Sequence, residues 1–285
     1  MAGIFFKRKL KVTLSTLQKA YVYDETFKIT FEVQRVAEAT TPDKATIKIY
    51  NPLMNDVIES IQDAYVVIET GYETQTGIIY RGDVSAAMLY REENDVILEI
   101  SAGDGEEANK KEEQKAYAKG TPQAKIILDI AQNLKLEFAA GLEKKINSIF
   151  TDKKKAKTII KGVRSVQKLA ELLKEKDYIP CITNNVLDIA ETLKPTQDPA
   201  IVLTSETGLL DNPVRKKTKR KIGKKQEVLV DAISFKALLI PGLFPKRQIK
   251  IDSEFFTGFY VIESINYSGD TRGDDWQCNG EGILL

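Results

Sequence analysis

Ile249-Lys250-Ile251, then Phe256-Thr257-Gly258-Phe259-Tyr260-Val261-Ile262, then Ser268-Gly269-Asp270-Thr271-Arg272-Gly273-Asp274-Asp275-Trp276 is the most informative part of the chain. Its β-branched and aromatic runs have strand length, and the Gly/Asp cluster before the tryptophan is turn chemistry. Two or three short strands, a tight turn and an aromatic anchor therefore close the chain. Gly258 permits a close backbone approach that a side chain would obstruct, and Trp276 can bury its ring while its indole nitrogen finds a partner. Asp270, Asp274 and Asp275 lack the spacing of a calcium-binding helix-loop-helix, so they read as turn residues and no metal is expected.

Upstream of that stretch the strand pattern continues. Ala200–Thr204 runs into Ser205–Leu210, and Glu227–Ser234, Gln248–Asp252 and Phe259–Tyr267 complete a β region over 200–285. Within it, Arg215-Lys216-Lys217-Thr218-Lys219-Arg220-Lys221-Ile222-Gly223-Lys224-Lys225 carries only positive charge. No aromatic side chain interrupts it for base stacking, so it is expected to be a solvated basic loop at 215–225. Lys153-Lys154-Lys155 with Lys157 has the same default reading.

The N-terminal part has period two. In Lys28–Val36, Ile29, Phe31 and Val33 alternate with Thr30, Glu32 and Gln34; in Lys44–Tyr50, Ala45, Ile47 and Ile49 alternate with Thr46 and Lys48. This is the pattern of half-buried antiparallel strands. Tyr65–Tyr72, Gly77–Tyr90 and Asp95–Ala102 add further strands, and Asn51-Pro52 opens a helical turn through Leu53, Val57, Ile58 and Ile61. Residues 1–105 are thus expected to be a first β domain, a small barrel or sandwich.

Between the two β regions, 106–199 changes character. Glu106–Lys119 is rich in Glu and Lys and reads as a solvated linker. Gly120-Thr121-Pro122 offers an N-cap and a first-turn proline for a helix carrying Ile126, Ile127, Ile130, Ala131 and Leu134 on one face. Ser165 is placed to cap a second helix through Val166, Leu169, Ala170 and Leu173, which stops near Asp177. Tyr178–Ile182 and Val186–Ile189 then flank Thr183-Asn184-Asn185, a hairpin turn whose asparagines tolerate positive φ. The segment is a linker plus a small α/β domain, and the expected fold class is α+β, mainly β.

Gly77-Ile78-Ile79-Tyr80 and Gly258-Phe259-Tyr260-Val261 each start a long strand from glycine, and each leads on to a Gly/Asp turn, Gly103-Asp104-Gly105 and Gly273-Asp274-Asp275. This echo is consistent with a duplicated plan.

Composition narrows function mainly by exclusion. The 285 residues include 42 Lys and Arg against 41 Asp and Glu, a net charge of +1 that gives no general attraction to polyanions. No run approaches a membrane span, and Met1–Lys9 places its apolar residues ahead of its basic ones, the reverse of a signal peptide, so a cytoplasmic product is expected. Cys181 and Cys278 are too few and too far apart for a disulfide framework and read as buried thiols. Histidine is absent, which removes Ser-His and Cys-His nucleophile pairs and histidine metal sites. No Glu/Asp pair stands out as a glycosidase dyad. The sequence therefore singles out no catalytic, cofactor-binding or metal residue.

Four blocks in order resemble the hub proteins of bacteriophage tails, the group that includes the hub of Mu-like phages and the hub subunits of contractile injection particles. They are Ala45-Thr46-Ile47-Lys48-Ile49-Tyr50-Asn51-Pro52, the Gly120-Thr121-Pro122 helix start, Thr204-Ser205-Glu206-Thr207-Gly208-Leu209-Leu210-Asp211-Asn212-Pro213, and the C-terminal stretch quoted first. The resemblance implies two tube-like β-barrel domains per chain flanking the α/β domain. It further implies a homotrimer whose six similar domains form a ring between a sixfold tail tube and a threefold central spike. Its partners would be the spike and tube proteins, with the tape measure and baseplate wedge proteins beyond them, and no cofactor, membrane or specific nucleic acid. Its place would be the tail of a virion or the baseplate of a phage-like particle, assembled in the bacterial cytoplasm. The alternatives are a nucleic-acid-binding or membrane-remodelling protein acting through the basic clusters, and a cell-wall hydrolase.

Overall fold

In the computed structural model, residues 7–16, 19–52, 64–152, 157–196, 198–222 and 226–285 are described. The helical turn expected through Leu53–Ile61 and the Lys153–Lys155 cluster lie outside them. Seven strands come first: β1 (Arg8–Ser15), β2 (Ala20–Asp24), β3 (Ile29–Val36), β4 (Asp43–Tyr50), β5 (Tyr65–Tyr72), β6 (Gln75–Glu92) and β7 (Asp95–Asp104). Six more close the chain: β13 (Ile201–Leu203), β14 (Val214–Ile222), β15 (Gln226–Leu238), β16 (Gln248–Asp252), β17 (Thr257–Asp270) and β18 (Trp276–Leu284).

These thirteen strands form one sheet, with the path β14-β15-β18-β17-β3-β4-β7-β6-β5-β1-β2 and with β16 and β13 branching from β17. The period-two pattern sets its faces: Phe31, Val33, Ile47 and Ile100 point into the core while Glu32, Gln34, Thr46 and Glu99 point away. The N-terminal and C-terminal β regions meet where β17 pairs antiparallel with β3, from Ser264 opposite Val36 to Asp270 opposite Thr30. Their buried side chains make one cluster, in which Val33, Ile47 and Ile100 are joined by Phe235, Ile265 and Tyr267.

The strand order repeats. The path β3-β4-β7-β6-β5-β1 has the same chain-order pattern as β14-β15-β18-β17-β16-β13. The long strand of each set also carries a bulge at the matching place, between Val84 and Ala86 in β6 and between Ile262 and Ser264 in β17. A bulge fixes local register and twist, so its coincidence aligns the sets residue by residue, Ala86 with Ser264. The sets differ at one edge, where β1 pairs β5 antiparallel and β13 pairs β16 parallel.

Between the sets lie α1 (Glu106–Lys110), β8 (Glu112–Tyr117), α2 (Gln123–Asn133), β9 (Glu137–Phe138), α3 (Leu142–Ile149), β10 (Thr158–Arg164), α4 (Ser165–Leu173), β11 (Tyr178–Thr183) and β12 (Val186–Glu191). Ile126, Ile127 and Ile130 of α2 and Leu169 and Leu173 of α4 build a second core with Leu187 of β12. Asn184 and Asn185 turn the β11–β12 hairpin with φ of 55° and 62°.

Three local expectations are corrected. Glu106–Lys119 is not a solvated linker: α1 and β8 occupy it, β8 pairs with β10, and Ala108, Asn109, Glu113 and Tyr117 are buried. Its few apolar residues fall where packing needs them, so a low apolar content did not leave it unfolded. Pro122 sits at the N-cap of α2, and Thr121 turns its hydroxyl to the Ala118 carbonyl; the amide of Gln123 donates to the Asp152 carbonyl instead. Ser165 is the first residue of α4, and its hydroxyl accepts from the Asn133 side chain at 3.0 Å, so a contact between helices replaces the expected cap.

Candidate assembly surface

The solvent side of the central strands is mainly polar where β3, β4, β17 and β18 run side by side. Glu32 and Gln34 of β3, Thr46 and Lys48 of β4, Asn266 of β17 and Asn279 of β18 lie on it, and two shallow grooves run across these strands. Side-chain bonds order the surface. Asn266 donates to Glu32 at 2.9 Å, Ser268 to Asp275 at 2.9 Å, and Tyr90 to Glu99 at 3.0 Å. Tyr90 and Glu99 together hold Lys48 above the usual lysine range. A sheet that buries one face and presents ordered amides, hydroxyls and charges on the other is suited to line water or a polar partner.

Among the described residues several strand edges of this sheet are open, those of β2 and β13 included, and two others stand out. Residues 215–222, expected as part of a solvated loop, belong to strand β14; the rest of that expected loop, 223–225, lies outside the described residues. β14 pairs with β15 alone and ends the sheet. Its cations did not prevent strand formation because both faces of this edge strand stay largely in solvent. Arg215 lies over the Phe256 ring at 4.4 Å, and Lys216 pairs with Glu281. The second open edge is the distal half of β6, Ala86–Glu92, which pairs only with β7 among the described residues. Met88 on this half is 54% exposed and Val214 on β14 is 63% exposed.

The α/β unit is seated on the sheet by buried polar contacts. Asp104, at the end of β7, accepts the amides of Asn184 and Asn185 at 2.6 and 2.8 Å. Ala39, in the β3–β4 turn, donates its amide to Pro180 at 2.9 Å. Lys246 is buried and donates to the carbonyls of Glu191 and Thr192 at 2.9 and 2.8 Å. Burial pushes the Asp104 carboxyl up to about 6; the two amides oppose the rise and the nearby Asp43 charge adds to it.

That shift has a sign. Asp104 binds its proton more tightly folded than unfolded, so the unfolding free energy falls as pH rises from about 4 to about 6, by roughly 3 kcal/mol from this group. Asp104→Asn keeps one oxygen for the amides and removes the titration. Urea midpoints of the variant are expected to vary less between pH 4 and 7 than those of the parent; an equal decline in both would assign it to another group.

Trp276 is buried against Phe31, and the Arg8 guanidinium lies 5.5 Å from its ring centre. Contrary to expectation, its indole nitrogen has no hydrogen-bond partner among the described residues. The Gly/Asp turn before it is held by Arg8, which donates to the carbonyls of Asp270, Gly273 and Asp274. Cys181 and Cys278 are unpaired, and burial pushes both thiols up to about 12. Among the described residues no three His, Cys, Asp or Glu side chains are gathered where they could hold a metal. No described helix is long and apolar enough to cross a membrane.

No family model and no curated protein sequence matches the chain. Solved structures do. A tail protein from Neisseria meningitidis aligns over 96% of both chains at 10% identity with a TM-score of 0.65. The 43 kDa tail protein of prophage MuSo2 from Shewanella oneidensis aligns over 96% of this chain and 98% of its own at 11% identity and 0.66. The chain has the fold of these tail proteins. The same fold extends to the E. coli c3393 protein, a component of the type VI secretion system, over 95% of this chain and 76% of that one at 10% identity and 0.64. Within this tail-protein fold, the sequence reading missed the two open edges. No signal in the sequence marked them, since Val214–Lys217 are all exposed and carry no period-two pattern.

Proposed function

We propose that the chain is a structural hub of a phage tail or of a phage-derived contractile particle. In this reading three copies form a ring that joins a sixfold tail tube to a threefold central spike, with the tape measure and baseplate wedge proteins as further neighbours. The observation that carries it is the repeated strand order with its matching bulge. A chain holding two similar β units presents six such units when three copies close, while the particle itself keeps threefold symmetry. The tail-protein fold supports the same reading, as does the polar outer face of the sheet.

The division into 1–105, 106–199 and 200–285 belongs to this proposal: the first and last segments are the two tube-like units and the middle one is an insert outside the ring. A purely structural role, without catalysis, fits a chain with no histidine and with interactions spread over edges and faces. The location is the tail or baseplate, after assembly in the bacterial cytoplasm.

Absolute mass by light scattering, with electron micrographs of the same sample, tests the reading. Three chains of 32.0 kDa should give about 96 kDa and ring-shaped particles. A monomer that forms no ring after addition of spike and tube proteins would sink it.

A further inference from the structure

The two open edges are counterparts of a junction that the chain already makes inside itself. The distal half of β17 pairs with β18 on one side and with β3 on the other. In the repeat alignment its counterpart is the distal half of β6, and the counterpart of β3 is β14. Among the described residues both counterparts have a free edge there. Residue correspondence follows from the ladders. Ser264 and Ala86 both follow the bulge, and β18 and β7 carry the alignment through β15 and β4 to β14 and β3, placing Lys216 where Gln34 stands.

We infer that the distal half of β6 in one copy pairs antiparallel with β14 of a second copy, in the register of the internal junction. Resting on the ring reading above, this names the contact that would close the ring. Asn266 opposite Gln34 becomes Met88 opposite Lys216, and Ile265 opposite Arg35 becomes Ala87 opposite Lys217.

Three features favour a second copy of this chain as the occupant. Pairing would give hydrogen-bond partners to two rows of edge amides and carbonyls, which an isolated edge leaves to water. It would place exposed Met88 and Val214 side by side on one face, Val214 facing Tyr90. The charges also choose the partner. Two β14 edges brought together would set Arg and Lys against each other, whereas the β6 half carries one cation and one anion, Arg91 and Glu92, and Glu99 lies beside Met88 on the same row as Lys216. Such a contact uses different surfaces on the two copies, so it builds head to tail and can close.

Cysteine pairs test the register. One variant carries Met88→Cys with Lys216→Cys, and another Ala87→Cys with Lys217→Cys. Successive antiparallel pairs alternate between hydrogen-bonded and non-hydrogen-bonded, so one of the two brings the sulfurs closer, with Cβ atoms about 5 Å apart. On mild oxidation of the full chain, non-reducing gels should show disulfide-linked multimers ending at a closed ring. The shifted pair Met88→Cys with Lys219→Cys should give no comparable product. Multimers in light scattering without a cross-link from either pair would overturn the edge pairing and leave the ring reading standing. Monomers at all concentrations without a cross-link would overturn both. An open ladder of ever longer products would support the pairing and sink the closed ring.

Discussion

Arg35→Ala is expected to lower the unfolding free energy by roughly 3–5 kcal/mol, because it strands a buried carboxylate. Arg35 and Asp43 are each 5% exposed, and the guanidinium donates to Asp43 at 2.9 Å and to the Ile79 carbonyl at 3.1 Å. Asp43 also accepts the Val36 amide at 2.8 Å, so the pair ties the end of β3 to the start of β4 and to β6 behind them. Burial works against the charged guanidinium, yet Asp43 holds it above its ordinary range; burial likewise pushes the Asp43 carboxyl up, against the pull of Arg35. Removing the cation leaves Asp43 to take up a proton or to open the sheet to water. Changing both partners to apolar residues should restore much of the loss, since the pair's own desolvation cost disappears with it. Urea unfolding of the two variants checks this; a double variant as weak as Arg35→Ala would mean that the Ile79 bond matters more than the ion pair.

Trp276→Ala is expected to cost about 3–5 kcal/mol, the range for emptying a large aromatic site in a core that relaxes only partly. The ring is 3% exposed and meets Phe31 edge to face at 5.6 Å between centres. A Cβ added to Gly269 would come within 2.5 Å of Phe31 and 3.0 Å of Trp276, so this glycine exists to admit the two rings. Trp276→Phe should lose far less, because among the described residues the indole nitrogen has no hydrogen-bond partner to lose. Urea midpoints at unchanged slope give the comparison. A phenylalanine variant as unstable as the alanine one would show that the outer ring of the indole, against Arg8, carries the contact.

Much of the fold was legible because one face of each strand is buried, and burial writes period two into the sequence. Ile29, Phe31 and Val33 announced β3 directly. The same logic failed where neither face is buried: β14 is an edge strand whose residues Val214–Lys217 are all exposed, so no period-two pattern was written into it. Caps were misread at Thr121 and Ser165 because each hydroxyl found a partner outside its own helix. The duplicated plan was visible, but at the wrong positions. By the ladders, Gly258 stands opposite Tyr80 and not Gly77, and the turn holding Gly273 corresponds to the turn after Glu92, not to Gly103–Gly105. The reason is an exchange of roles. In one set the Tyr80 ring lies over Gly82, in the other the Tyr260 ring lies over Gly258, so glycine and tyrosine have traded places across equivalent sites. The candidate assembly surface was least legible, since an unpaired edge is a property of sheet order.

The junction of β17 with β3 also sets a timetable for synthesis. It pairs Val36 with Ser264, 228 residues later in the chain. At about 5–20 residues per second, a ribosome needs on the order of 10–50 s to supply the second strand after the first has emerged. During that interval the Val33 edge of the nascent sheet has no native neighbour, although β4 and β7 behind it are already available. The exposed charge of Glu32 on this edge strand then acts as a guard against premature pairing with other nascent chains.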